Sequence, residues 1–297
     1  MSTAATTVGT AVVEDRPVGL WSDALRRMRR NPSAIIGGLL VVFFVAMAIF
    51  APFIAPYDPT QGTLSDSHLP PSREHWFGTN VQGQDVYSRI IYGSRLTLGI
   101  ATLSVIIGIT IGATLGAISG FFRGWTDSVV MRGVDIMLSI PGLLFSIAVV
   151  TFLGQGVPQI ALAIAIINIP IFARLLRGTL LSVREAEYVT AARAVGVGGR
   201  SLLVRHMLPN AVSPLIVAAT LALATAVVDA AALGFLGLGP PDPSTPEWGM
   251  MLSDSYRYLN QAPFLAFFPG MAIVLSVLGF NLLGDALRDS LDPKLRR

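Results

Sequence analysis

Residues 187–210 read EYVTAARAVGVGGRSLLVRHMLPN: a run of helix formers, a glycine cluster and a second helical stretch that meets a proline. Ala191, Ala192 and Ala194 favour helix over the first part, and Gly196, Gly198 and Gly199 end it. Ser201 to Met207 predicts a return helix that stops at Leu208, Pro209 and Asn210. Small alanines leave a low, smooth surface. Such a surface suits docking into a groove on another protein, and it also suits an ordinary amphipathic loop.

What flanks this loop on both sides is apolar. Upstream, Ile136 to Ala173 carries no charge, and Gly154, Gly156 and Pro158 interrupt its middle, which predicts two spans joined by a tight turn. Downstream, Ala211 to Leu238 contains one charge, Asp229, and Ala262 to Gly284 contains none. Ser33 to Ala55 and Leu96 to Phe122 are likewise free of charge and long enough to cross a hydrocarbon core of about 30 Å. The expected fold is an all-α membrane protein with six transmembrane helices.

Composition agrees with this reading. Hydrophobic residues make up 53% and charged residues 13%, about half the charge of an ordinary globular chain, and the mean hydropathy is +0.64. With Cys at 0 and Lys294 the sole lysine, there is no disulfide framework, thiol nucleophile or G-x-x-x-x-G-K-[ST] phosphate loop. No catalytic residue, cofactor site or metal site is expected in the chain. If the N-terminus is inside, 17 of the 21 basic residues fall on the cytoplasmic side; only Arg73, Arg89, Arg95 and Arg257 lie outside. Both termini are then cytoplasmic. Distribution by membrane side, with no single basic face, argues against a nucleic-acid partner.

The expected organisation is a cytoplasmic segment 1–32, a first span 33–55, an external loop 56–95, a five-helix domain 96–285 enclosing the loop 174–210, and a tail 286–297. Residues up to Val13 read as disordered, and Trp21 with the arginines after it suggests a short helix on the inner surface. The apolar run beginning at Ser33 is longer and later than a secretory leader, which favours a retained anchor. In the long outer segment, Asp85 to Arg95 predicts an amphipathic helix. That segment either docks a partner or covers the span ends, and Asp242, Glu247, Asp254 and Arg257 are candidates for the same surface.

Two stripes of small residues stand out. Gly108, Gly112, Gly116 and Gly120 recur every four residues, as do Ala218, Ala222, Ala226, Ala230 and Gly234. They let helix backbones approach where lipid removes the hydrophobic drive, either within the chain or beside a pathway or partner. Asp229 lies about 27 Å along its span. A carboxylate there is either functional or an interfacial cap of neighbouring backbone. His68, His75 and His206 all lie outside the spans, so a proton relay has little support.

At residues 190–209 the chain resembles the inner-membrane permease subunits of binding-protein-dependent ABC importers of the type I fold. Their loop runs Glu-Ala-Ala, three residues, Gly, nine residues, Ile, one residue, Leu-Pro. Ala191, Ala192, Gly196, Leu208 and Pro209 match, while Thr190 replaces the Glu and His206 the Ile, as in the peptide-importing branch. Residues 75–80, HWFGTN, and 83–89, GQDVYSR, look like the HPLGTD…GRDxxSR stretch of the C-type subunit of dipeptide, oligopeptide and nickel importers. Asp229 to Gly239 is similar to that family's EASLSFLGLG, with one residue more and Asp in place of Glu. Pro241, Pro243, Trp248 and Gly249 match the loop that follows, and Asn281 to Pro293 looks like the closing signature.

The resemblance implies a bacterial inner-membrane subunit in the lipid bilayer that pairs with a homologous permease, two ATP-binding cassette subunits and an external solute-binding protein. ATP and Mg would then sit on the partners. It assigns ATPase coupling to the loop with Glu187, Thr190, Ala191, Ala192, Gly196, His206, Leu208 and Pro209, and makes Asp229, Gly234 and Gly237 candidates for the gate. Peptide is the expected solute, with nickel or another small solute as the alternative. A secondary transporter working without ATP, or a scaffold that only recruits a cytosolic protein, would give the loop motif no transport role.

Overall fold

The structure, a computed structural model, describes residues 25–291. The expectations for residues up to Val13, for Trp21 and for Asp292, Pro293 and the last basic residues lie outside that range. Nine principal helices are named here: α1 Pro32–Ile49, α2 Val86–Phe122, α3 Gly124–Leu138, α4 Gly142–Leu153, α5 Val157–Arg184, α6 Glu187–Ala194, α7 Leu208–Leu233, α8 Trp248–Ser255 and α9 Phe264–Leu291. Five of the long apolar helical stretches can each cross a membrane, and the α3–α4 pair, bent by 91°, makes a sixth if counted as one broken span.

The helices depart from the expected spans in three places. The 37-residue α2 is about 55 Å long, so the helix expected separately over 85–95 is its first turns. Asp85 caps it, accepting from the Ser88 N–H at 2.8 Å and the Ser88 hydroxyl at 2.7 Å. The third span breaks at Ser139–Pro141, leaving α4 with only 12 residues. Asp127 and Asp135 charge the preceding α3, so it cannot lie bare in hydrocarbon. Pro158 sits in the first turn of α5, where its missing N–H costs nothing. The return helix does not stop at Pro209. Residues 199–238 form one helical stretch, and a wide turn over Leu202–Met207 places the Leu208 N–H on the Leu203 carbonyl.

The glycine stripe explains the most extensive helix pair, α2 with α5. A Cβ at Gly112 would lie 2.5 Å from the Ile169 carbonyl oxygen, and one at Gly116 2.4 Å from that of Ala173. Gly108 faces Asn168 and Gly120 faces Leu180 in the same way. The stripe therefore packs within the chain. α1 is held on α9 by a reciprocal pair: a Cβ at Gly37 would meet Leu282 and Leu283, and one at Gly279 would meet Leu40. The outer face of α1, with Leu39, Val42 and Phe43, stays uncovered by protein, as expected for contact with acyl chains.

Residues 55–85 fold into a cap over one end of α2. Arg89, expected among the external basic residues, is 1% exposed. One of its guanidinium nitrogens donates to the Pro59 carbonyl at 2.9 Å, to Gln84 Oε1 at 2.5 Å and to the Ser244 carbonyl at 2.9 Å. It thus ties the cap, α2 and the loop before α8 together. Phe77 stacks on Phe268 of α9 at 3.9 Å. The HWFGTN and GQDVYSR stretches are mostly this cap's internal framework.

Glu247 also overturns its expected place on a docking surface, being 1% exposed. It caps α8, accepting from the Gly249 N–H at 3.0 Å and the Met250 N–H at 2.9 Å, and takes the Thr97 hydroxyl of α2 at 3.1 Å. Trp248 Nε1 donates to the Ile90 carbonyl at 3.0 Å. Burial pushes the Glu247 carboxyl above the ordinary glutamate value, against these three hydrogen bonds.

Two measurements check this packing. Gly112→Ala is expected to cost about 1–3 kcal/mol through overpacking, lowering the thermal midpoint of the detergent-purified protein. Gly99→Ala, on an open part of the same helix, should leave that midpoint unchanged or raise it slightly; equal midpoints for the two variants would refute the close contact. For Glu247, the native state holds the proton more tightly than the unfolded chain. Its contribution is therefore full below the unfolded value of about 4.3 and is lost as pH rises through the raised folded value. Glu247→Gln should flatten the fall of the midpoint with rising pH; an unchanged slope would assign that fall to other groups.

Candidate functional site

The loop between α5 and α7 is built as a rigid unit. α6 follows α5 after Glu185 and Ala186, and its single buried residue, Val189, is fully covered. Leu202 and Met207 of the return segment are buried as well, so three side chains pin the loop to the helix ends. Gly196 ends α6 at φ +83°. Its N–H reaches the Arg193 carbonyl and the Val197 N–H reaches the Ala192 carbonyl, both at 3.1 Å. This pairing needs a left-handed residue, which is the physical reason for glycine at that position.

The other loop candidates divide into outward-facing and bracing positions. Glu187, Thr190, Ala191 and Pro209 are exposed, and Val195 beside them is 81% exposed. Ala192, His206 and Leu208 are half-buried on the inner side. The His206 carbonyl, close to where Pro209 interrupts helical bonding, accepts the Asn210 side-chain amide at 2.8 Å. Tyr188 of α6 reaches the same carbonyl at 3.5 Å, and partial burial raises its phenol above the ordinary tyrosine value. Behind the loop, Phe121, Arg184, Arg193 and Leu202 line a cavity of about 240 Å³.

Ion pairs that the sequence reading missed brace this end. Arg177 of α5 grips Asp127 of α3 with two bonds of 2.5 and 2.7 Å, and Ser119 of α2 donates to the same carboxylate. Arg174 pairs with Asp135 at 2.7 Å, more exposed and so weaker. Two acids eight residues apart, opposite arginines three apart, were the available signal.

The gate candidates have three different roles. Gly234 is a packing glycine: a Cβ there would fall 2.1 Å from Glu247 Oε2. Gly237, at φ +77°, bends the wide turn Gly234–Leu238, and its carbonyl accepts the Gln155 amide at 2.9 Å. Asp229 is half-buried and forms no hydrogen bond or ion pair among the described residues, so it caps no backbone. Thr225 and Val228, its neighbours on α7, are exposed. α7 therefore shows its own chain Ala226, Ala230 and Leu233 and leaves a second face, carrying Asp229, uncovered.

Sequence comparison bears on this geometry directly. Residues 108–297 match the family described as "Binding-protein-dependent transport system inner membrane component". Residues 19–71 match "N-terminal TM domain of oligopeptide transport permease C". The dipeptide transport system permease protein DppC of Alkalihalophilus pseudofirmus is 44% identical over 279 residues, covering 94% of this chain and 91% of that protein. The glutathione transport system permease protein GsiD of Escherichia coli O6:K15:H31 is 43% identical over 277 residues, covering 93% and 91%. With a braced loop between spans, an uncovered α7 face and matches along nearly its whole length, the chain belongs to the inner-membrane permease family of binding-protein-dependent transport systems.

Proposed function

We propose that this subunit carries small peptides through the inner membrane, energised by ATP that partner chains hydrolyse. The observation that carries the coupling half is the loop: a short helix with an exposed alanine face, closed by Gly196 and rooted in two span helices. The peptide half rests on the relatives, whose named solutes are a dipeptide and glutathione. The partners under this reading are a homologous permease, two ATP-binding cassette subunits that hold ATP and Mg, and an external solute-binding protein. The loop lies on the cytoplasmic side with both termini, the cap outside, in line with the 17 to 4 division of basic residues.

Mechanically, nucleotide-driven closure of the ATPases would move α6 as a rigid body. Val189, Leu202 and Met207 pass that displacement to the ends of α5 and α7. Because residues 199–238 are one helical stretch, a shift at the loop arrives at the wide turn Gly234–Leu238 beside the cap. Two packings of these helices, a few kcal/mol apart, then give alternating access. The uncovered face of α7 with Asp229 lines the pathway between the two permeases, where a carboxylate meets water, solute or partner and avoids lipid.

Ala191→Asp places a charge in the docking face without touching the fold. In reconstituted complexes it should reduce uptake about tenfold, the equivalent of about 1.4 kcal/mol of docking energy, while membrane insertion stays normal. Gly196→Val should do the same by straining the left-handed turn. Normal uptake by both variants would sink the coupling role. Asp229→Asn should slow uptake while the same partners copurify; wild-type transport would remove Asp229 from the pathway.

A further inference from the structure

We propose that a cavity beside the cap end of α7 is a binding site for the two charged ends of a small zwitterionic peptide. The cavity, about 460 Å³, lies between the cap at Gln82, the wide turn at Phe235 and the end of α8 with the residues that follow it. That volume falls within the range that holds small organic ligands, about 300–1,000 Å³. It is large enough for a dipeptide and lies outside the loop and the Asp229 face already described.

Its chemistry is specific. Asp254 and Arg257 both line it, yet neither forms an ion pair within 4 Å or a hydrogen bond among the described residues. Opposite charges that sit three residues apart without closing on each other present an acceptor for an ammonium group and a fork for a carboxylate. Gln82, Tyr256 and Tyr258 also line the cavity, and none of their side chains forms a hydrogen bond among the described residues. They are placed to bond a peptide linkage. Phe235 meets Tyr256 edge to face at 6.4 Å, giving an apolar wall for a side chain of any kind. Recognition of both termini with a tolerant wall fits a class of solutes that share ends and differ in side chains.

The site deepens the peptide reading and rests on it, and the two can fail separately. Because the chain contains no cysteine, Ser253→Cys puts a single thiol of this subunit at the cavity. In the assembled complex, without binding protein, dialanine should slow maleimide labelling of that thiol about tenfold at saturation. The N-acetyl, C-amide derivative should give no protection. Asp254→Asn or Arg257→Gln in the same background should raise the dialanine concentration needed about tenfold, the loss expected for one charge-assisted hydrogen bond.

Absent protection, or equal protection by the blocked derivative, overturns the site. So does protection by added unloaded binding protein with none by dialanine, which would make the cavity a protein-docking surface. Uptake of dialanine by wild-type proteoliposomes reads the function independently: uptake without protection retains the function and rejects the site, and protection without uptake does the reverse.

Discussion

The close approach of α2 and α5 through Gly108, Gly112, Gly116 and Gly120 is the contact on which the other elements hang. In lipid, apolar side chains gain little by leaving hydrocarbon for each other, so backbone proximity must supply the packing energy. Contacts this short leave no room for the pair to slide, since each Cα already sits where a methyl would clash. The cap, the loop and α3 all extend from this frame. α2 carries the cap through Asp85 and Arg89, α5 continues into the loop helix, and Arg177 of α5 fixes α3 by gripping Asp127.

α7 packs on both helices of that frame. Its inner side is packed at Ala226, Ala230 and Leu233, but it begins and ends in wide turns, Leu202–Met207 and Gly234–Leu238. Such turns are loosely wound and concentrate at functional positions. They occur here where the loop and the cap attach. α7 thus runs without interruption from the loop to the cap, between two ends that depart from regular α-helical bonding.

The spans, the loop and the family were legible because they depend on composition and spacing within one segment. Ala191, Ala192 and Gly196 announce a capped helix wherever they occur in that order. The length of α2, the break at Ser139–Pro141 and the passage of a helix through Pro209 were not legible, since each depends on tertiary contacts overriding a local signal. Asp85 reads equally well as a loop acid or as a cap. Pro209 reads as a stop until one sees that the preceding wide turn and the Asn210 amide absorb the lost bonding at His206.

Charged residues show the same division more sharply. Arg89, Glu247 and Asp229 are all rare charges beside or within apolar sequence, and the pattern around them does not separate structural from functional ones. Their hydrogen bonds do. Arg89 spends one nitrogen on three acceptors and Glu247 takes three donors, so both are consumed in joining α2 to the cap and to α8. A carboxylate has about four acceptor positions, and among the described residues Asp229 fills none. A charge in a span costs several kcal/mol unless something meets it. Asp229 is thus the one of the three that the described residues leave unmet, on a face of α7 that they leave open.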